Sequence, residues 1–162
     1  MLAVLYTWTT YGTWLRGDAR GWVRDGVTFP VDPPLEAADR QRLRFPPWLF
    51  ARADLLRVGG LIGESLGQRA GLTLYALTVQ PWHVHVVTAV NGLPFDRVVK
   101  CAKDAVRWGL RPSRPIWTDG YDKRFCFDET AVLARVAYVE RHNVEAGWEP
   151  RPWEFLTPLC PS

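Results

Sequence analysis

The sequence predicts an α+β fold organised around an antiparallel sheet, and three observations carry that prediction. Two β-rich runs, residues 72–79 and 83–90, are separated only by Gln80-Pro81-Trp82, the spacing of an antiparallel hairpin. An apolar run over residues 2–9, rich in aromatic and β-favouring side chains, opens the chain as a strand. Segments with helical spacing give the order β, loop, α, β, β, α, β, α, which is an α+β pattern.

Taken in order, residues 11–29 contain Gly12, Gly17, Gly21 and Gly26 and are expected to form a loop or irregular hairpin. Residues 31–47 hold Pro33, Pro34, Pro46 and Pro47 and read as a connector, with one helical turn near residues 36–42. Leu55, Val58, Ile62 and Leu66 recur at helical spacing within residues 51–69, although Gly59, Gly60 and Gly63 weaken a helix there. Asp96 is placed as the N-cap of a helix running to Trp108. That helix would bury Val98, Val99, Ala102 and Val106 and expose Lys100, Lys103 and Arg107. Residues 116–127 suggest two short strands about a turn at Asp119-Gly120. Asp128 then caps a last helix ending at Gly147.

The 162 residues suit one domain over residues 1–162, and 48% hydrophobic with 23% charged residues excludes a disordered chain. The net charge of +3 permits a nucleic-acid partner without requiring one. The charge is uneven: between Asp96 and Arg124 eight basic residues face four acidic ones, an excess larger than that of the whole chain. Clustering of this kind suits a phosphate-contacting face, and is equally common on solvated surface. Cys101, Cys126 and Cys160 are odd in number and lack CxxC spacing, so they read as free thiols in a reducing compartment. The N-terminus has no signal-peptide pattern and no stretch has the length of a membrane span, so a cytoplasmic, membrane-free protein is expected.

The chain has three histidines. His83 and His85 are two apart in a strand, so both leave the same face while Val84 points into a core. Two imidazoles on one face suit a shared divalent cation, although His-x-His in a strand often arises by chance. In the last helix Val132, Val136 and Val139 form a core stripe, and Tyr138 lies about 200° round the helix from Val136. His142, four residues on, stacks on the face of Tyr138. By itself this pair reads as a boundary tyrosine beside a solvated histidine.

Together these elements resemble a known family. The run Thr7-Trp8-Thr9-Thr10-Tyr11-Gly12-Thr13-Trp14-Leu15-Arg16-Gly17-Asp18, with Arg20-Gly21 after it, resembles the N-terminal signature of REP-associated tyrosine transposases, within the single-tyrosine HUH transposases. Val79-Gln80-Pro81-Trp82-His83-Val84-His85-Val86-Val87 resembles their HUH strand. Gly120-Tyr121-Asp122 and the segment from Tyr138 to Gly147 resemble their C-terminal block, which holds a nucleophilic tyrosine and, four residues later, a polar metal ligand. The matches span residues 7 to 147 in the same order. The chain departs from the pattern where it has Trp82 for the usual asparagine, His142 for asparagine or glutamine, and Asn143 for the following proline.

The resemblance implies a ferredoxin-like antiparallel sheet with helices packed mainly on one face. It implies Tyr138 as nucleophile and His83, His85 and His142 as ligands of Mg²⁺ or Mn²⁺, although three imidazoles by themselves suit zinc as readily. The implied activity is cleavage and transfer of single-stranded DNA near hairpin elements through a 5′-phosphotyrosine, by a monomer or homodimer. Arg16, Arg20, Lys100, Lys103, Arg107, Lys123 and Arg124 are candidate DNA contacts, and Trp14, Trp22 or Trp82 candidate platforms for unpaired bases. Tyr6, Tyr11, Tyr75 and Tyr121 rank below Tyr138 as nucleophiles because none has a histidine one helical turn away. Alternative readings are a DNA-hairpin binder without cleavage, a three-histidine metal hydrolase and a structural zinc site.

Overall fold

The first strand divides its side chains between two cores, and that division places everything else. In a computed structural model describing residues 1–24 and 27–159, β1 (Ala3–Thr9) precedes a small hairpin of β2 (Trp22–Arg24) and β3 (Val27–Phe29). Helix α1 (Pro33–Arg42) follows, then α2 (Leu55–Glu64), prolonged by a π-helical turn over Ser65–Arg69. Strands β4 (Leu74–Val79) and β5 (His83–Ala89), helix α3 (Phe95–Leu110), strand β6 (Asp122–Cys126) and helix α4 (Glu129–Glu145) complete the order. Gly26 and Cys160 lie outside the described residues. Cys101 and Cys126 are free thiols, and no described helix is long and apolar enough to cross a membrane.

The main sheet has the order β4-β5-β1-β6, and each neighbouring pair is antiparallel. With α2 between β1 and β4, and α3 between β5 and β6, this is the expected ferredoxin-like arrangement. Val4, Tyr6 and Trp8 point to one face, where they join Leu55, Val58 and Ile62 of α2 and Val98, Val99, Ala102 and Val106 of α3. Each fully buried valine or leucine contributes about 1.5–3 kcal/mol. Ala3 and Leu5 point to the other face, with Ala76 and Val87 beneath Val132, Val136 and Val139 of α4. The small side chains of Ala3 and Ala76 let α4 lie close to the sheet.

Four local expectations change. Residues 33–42 form ten residues of helix rather than one turn, because Asp32 caps the chain and Pro33 occupies the first turn, where its missing N–H costs nothing. Asp96 is not the N-cap of α3; Pro94 holds that position, the helix continues to Leu110, and the Asp96 carboxylate accepts from Tyr121 Oη. The first of the two strands expected in residues 116–127 reduces to an isolated bridge between Thr10 and Trp117. The glycines of α2 give room for packing. A Cβ on Gly59 would fall 2.0 Å from the Trp153 ring, and one on Gly63 would fall 2.0 Å from Phe155.

Candidate functional site

The face of the sheet under α4 changes character along its length. At one end Ala3, Leu5, Ala76 and Val87 are apolar. At the other, Thr7 pairs with His85, Thr9 with His83, and Thr78 with His85 from the far side. Alternation thus turns His83 and His85 away from the Val84–Val86 core and beneath the last turns of α4. Asp128 accepts from Ala131 N at the start of that helix, and Gly147 takes a positive φ of 81° beyond its end, as expected. Asn143 is buried and donates through Nδ2 to the carbonyls of Leu77 and Pro150, both at 2.9 Å, which fixes the helix against β4.

The three histidines and Tyr138 meet. Ring centroids lie 4.6 Å apart for His83 and His85, 5.1 Å for His85 and His142, and 5.7 Å for His83 and His142. Tyr138 stands edge-on 4.8 Å from His142 and 5.4 Å from His85. His83 and His85 are buried, whereas Tyr138 is 38% exposed and reachable from solvent. Gln80 Nε2 donates to Thr78 Oγ1 at 3.0 Å and to the His142 carbonyl at 3.3 Å, joining the hairpin to the turn that carries His142.

Burial, reinforced by His142 and Arg20, pushes His83 down to about 3. Burial, with His83 and His142 nearby, pushes His85 down to about 2. His142 is lowered as well, chiefly by burial. All three imidazoles are therefore neutral at pH 7, the form that binds a metal. One ligand nitrogen from each can be chosen so that all lie within 4.8 Å of one another. His83 Nδ1 and His142 Nε2 are buried without a hydrogen-bond partner, an arrangement costing about 1–3 kcal/mol each unless something binds there. The residues present fit a divalent cation.

The expected DNA contacts fall into three places. Arg20 and Trp82 border the histidines: Trp82 lies 4.0 Å from the His83 ring, and the Arg20 guanidinium sits 4.4 Å over Trp82 and 4.8 Å over Trp14. Buried Asp18 holds Arg20 with bonds of 2.7 and 2.6 Å, a pairing not anticipated from the sequence, although the two residues are only two apart. Arg124 is on the histidine face of β6, opposite Leu5, and is paired with Asp122 at 2.9 Å. Arg16 is engaged by Asp39 at 2.7 and 2.5 Å.

Lys100, Lys103 and Arg107 lie across the sheet on α3, lining an open groove of about 980 Å³ with Trp108 and Tyr121. Lys103 is not on the exposed side of α3 as expected; it donates at 2.8 Å to the carbonyls of both Thr118 and Gly120, and burial pushes it down to about 8. Lys123 points to this face as well, 5.0 Å from the Phe95 ring. This groove is thus on the opposite side of the sheet from the histidines. Trp22 stacks on Phe29 at 4.5 Å. Among the rival tyrosines, Tyr6 is buried on the α2–α3 face, Tyr121 donates to Asp96, and Tyr11 Oη accepts from Arg44 N.

No family model matches the sequence, and no curated protein matches it. Among solved structures, the chain is similar to a REP-associated tyrosine transposase bound to a REP hairpin, with a TM-score of 0.56 and 13% identity over 94% of this chain and 74% of that one. A protein of Deinococcus radiodurans R1, provisionally designated a transposase, gives a TM-score of 0.42 and 18% identity over 86% and 88% of the two chains. The chain therefore has the fold of the REP-associated tyrosine transposase, a mixed α+β fold with a four-stranded antiparallel sheet.

Proposed function

We propose that the chain is a metal-dependent single-strand DNA endonuclease and strand transferase of the transposase type, acting at or near DNA hairpins. The observation that carries this reading is the convergence of Tyr138 with every histidine of the chain, at the polar end of one sheet face. The likeness in fold to a transposase bound to a hairpin supports it.

Tyr138 Oη would attack the scissile phosphorus, forming a 5′-phosphotyrosine while the bond to the 3′-oxygen breaks. The phenol gives up one proton and the departing oxygen takes one up to become a 3′-hydroxyl. The phosphodiester energy is retained in the covalent link, so a second 3′-hydroxyl can reverse the step and join strands. A Mg²⁺ or Mn²⁺ ion held by His83, His85 and His142 would supply Lewis-acid polarisation of the phosphate. The edge-on contacts of His85 and His142 restrict where the Tyr138 ring can lie. Arg20, held by Asp18 and flanked by Trp14 and Trp82, offers a cation and two aromatic faces to the neighbouring nucleotides. Contacts through Lys100, Lys103 and Arg107 require the DNA to pass around an edge of the sheet.

An all-imidazole ligand set also suits a hydrolase that activates water. Tyr138→Phe separates the two readings. Hairpin-bearing single-stranded oligonucleotides with Mg²⁺ or Mn²⁺ should give a covalent protein–DNA band on a denaturing gel, and Tyr138→Phe should give none. Cleavage by Tyr138→Phe at the wild-type rate would reject the tyrosine mechanism in favour of the hydrolase.

A further inference from the structure

The three imidazoles are not held alike. His83 Nδ1 and His142 Nε2 are the buried nitrogens without a partner, whereas His85 Nδ1 lies 2.7 Å from Thr7 Oγ1. The contact arises from register: Thr7 on β1 and His85 on β5 are directly opposite and share a face. Thr7 is β-branched within a strand, so few χ1 rotamers are open to it and its hydroxyl is aimed before any ligand arrives.

A neutral imidazole has one N–H and one lone pair, and only the nitrogen with the lone pair can bind a cation. With the proton of His85 on Nε2, the lone pair would face Thr7 at Nδ1 and be lost to the cluster. With the proton on Nδ1, the threonine oxygen accepts it and Nε2 is left free. A ring nitrogen that binds metal is generally oriented by a hydrogen bond from the other one. We propose that Thr7 is a positioning residue: its Oγ1 accepts the Nδ1–H of His85, fixing that tautomer and presenting Nε2 as a preformed metal ligand.

This proposal rests on the metal site of the preceding section, not on DNA cleavage. It is tested by two measurements on the full chain. Long-range ¹H–¹⁵N correlation spectra of the metal-free protein at pH 7.5 report which nitrogen of His85 carries the proton, with His85→Gln supplying the assignment. Titration calorimetry with Mn²⁺ then compares wild type, Thr7→Val and Thr7→Ser. Valine keeps the β-branched shape without the hydroxyl, and serine keeps the hydroxyl without the methyl group.

The expected results are an Nδ1–H tautomer in the wild type and Mn²⁺ affinity weakened about 10-fold or more in Thr7→Val. Thr7→Ser should recover most of the affinity, and both variants should be folded without metal, Thr7→Val unfolding at a lower temperature because buried His85 Nδ1 has lost its partner. An Nε2–H tautomer in the wild type, or undiminished affinity in Thr7→Val, would overturn the proposal. A wild type that binds Mn²⁺ but forms no DNA adduct would reject the cleavage reading and leave the role of Thr7 standing. A wild type with no affinity for Mn²⁺ would overturn both the metal site and this role.

Discussion

Acid should destabilise the metal-free protein through its histidines, well above the pH at which their folded forms take up protons. Burial lowers His83 from 6.5 to about 3 and His85 from 6.5 to about 2. As the pH falls through 6.5 the unfolded chain binds a proton at each site, while the folded chain binds neither until about 3. Between those limits the unfolded state holds more protons, so stability falls as the pH falls. Each histidine contributes about 1.4 kcal/mol per pH unit. From pH 6.5 to 4.5 the two together give a ceiling of about 5 kcal/mol, a large share of the roughly 5–15 kcal/mol typical of a folded domain. His142 is lowered by burial too and acts in the same direction.

Urea unfolding in EDTA at the two pH values, compared with a His83→Gln/His85→Gln double variant, isolates this term from the carboxylates. The wild type should lose several kcal/mol more than the double variant. Equal pH slopes would refute the reasoning, because they would mean that the two rings titrate alike in the folded and unfolded chains. Saturating Mn²⁺ should add stability at pH 6.5, about 2.7 kcal/mol at a hundredfold excess over its dissociation constant, and nothing in the double variant.

Three further outcomes are expected. Asn143→Ala leaves the Leu77 and Pro150 carbonyls without their donor and should cost about 1–3 kcal/mol in denaturant unfolding; an unchanged midpoint would show that α4 is not anchored there. Gly59→Ala should destabilise by about 1–3 kcal/mol by driving Trp153 off α2, whereas Gly60→Ala, which meets nothing within 4 Å, should be stabilising by up to about 1 kcal/mol. Thermal unfolding of the pair checks the contrast. Arg20→Gln should weaken binding of single-stranded oligonucleotides and flatten the dependence of log affinity on log salt by about 0.7; an unchanged slope would show that Arg20 meets no phosphate.

Much of the site was legible from spacing alone. The two-residue period put His83 and His85 on one face with Val84 opposite, and the four-residue step put His142 beside Tyr138. Nothing local shows that these two elements meet, since that depends on α4 crossing the sheet at Ala3 and Ala76. The Thr7–His85 contact is likewise set by strand register, across a separation of 78 residues. The amphipathic position of Lys103 does not reveal the two carbonyls that come back to it from the chain after α3. By propensity the α2 glycines only weaken a helix; the reason for Gly59 and Gly63 is the packing of Trp153 and Phe155, far along the chain, against them. The helix at residues 33–42 does carry a local signal, an aspartate cap followed by proline.

Whether Tyr138 and the three histidines form one working site is tested most directly by mapping the covalent bond itself. After incubation with a hairpin-bearing single strand and Mn²⁺, nuclease trimming and proteolysis, tandem mass spectrometry locates the nucleotide remnant. It should lie on the peptide carrying Tyr138, and should be absent without divalent cation and absent from His83→Ala protein. A remnant on Tyr11 or Tyr121, or one on Tyr138 that forms without any cation, would contradict the site described.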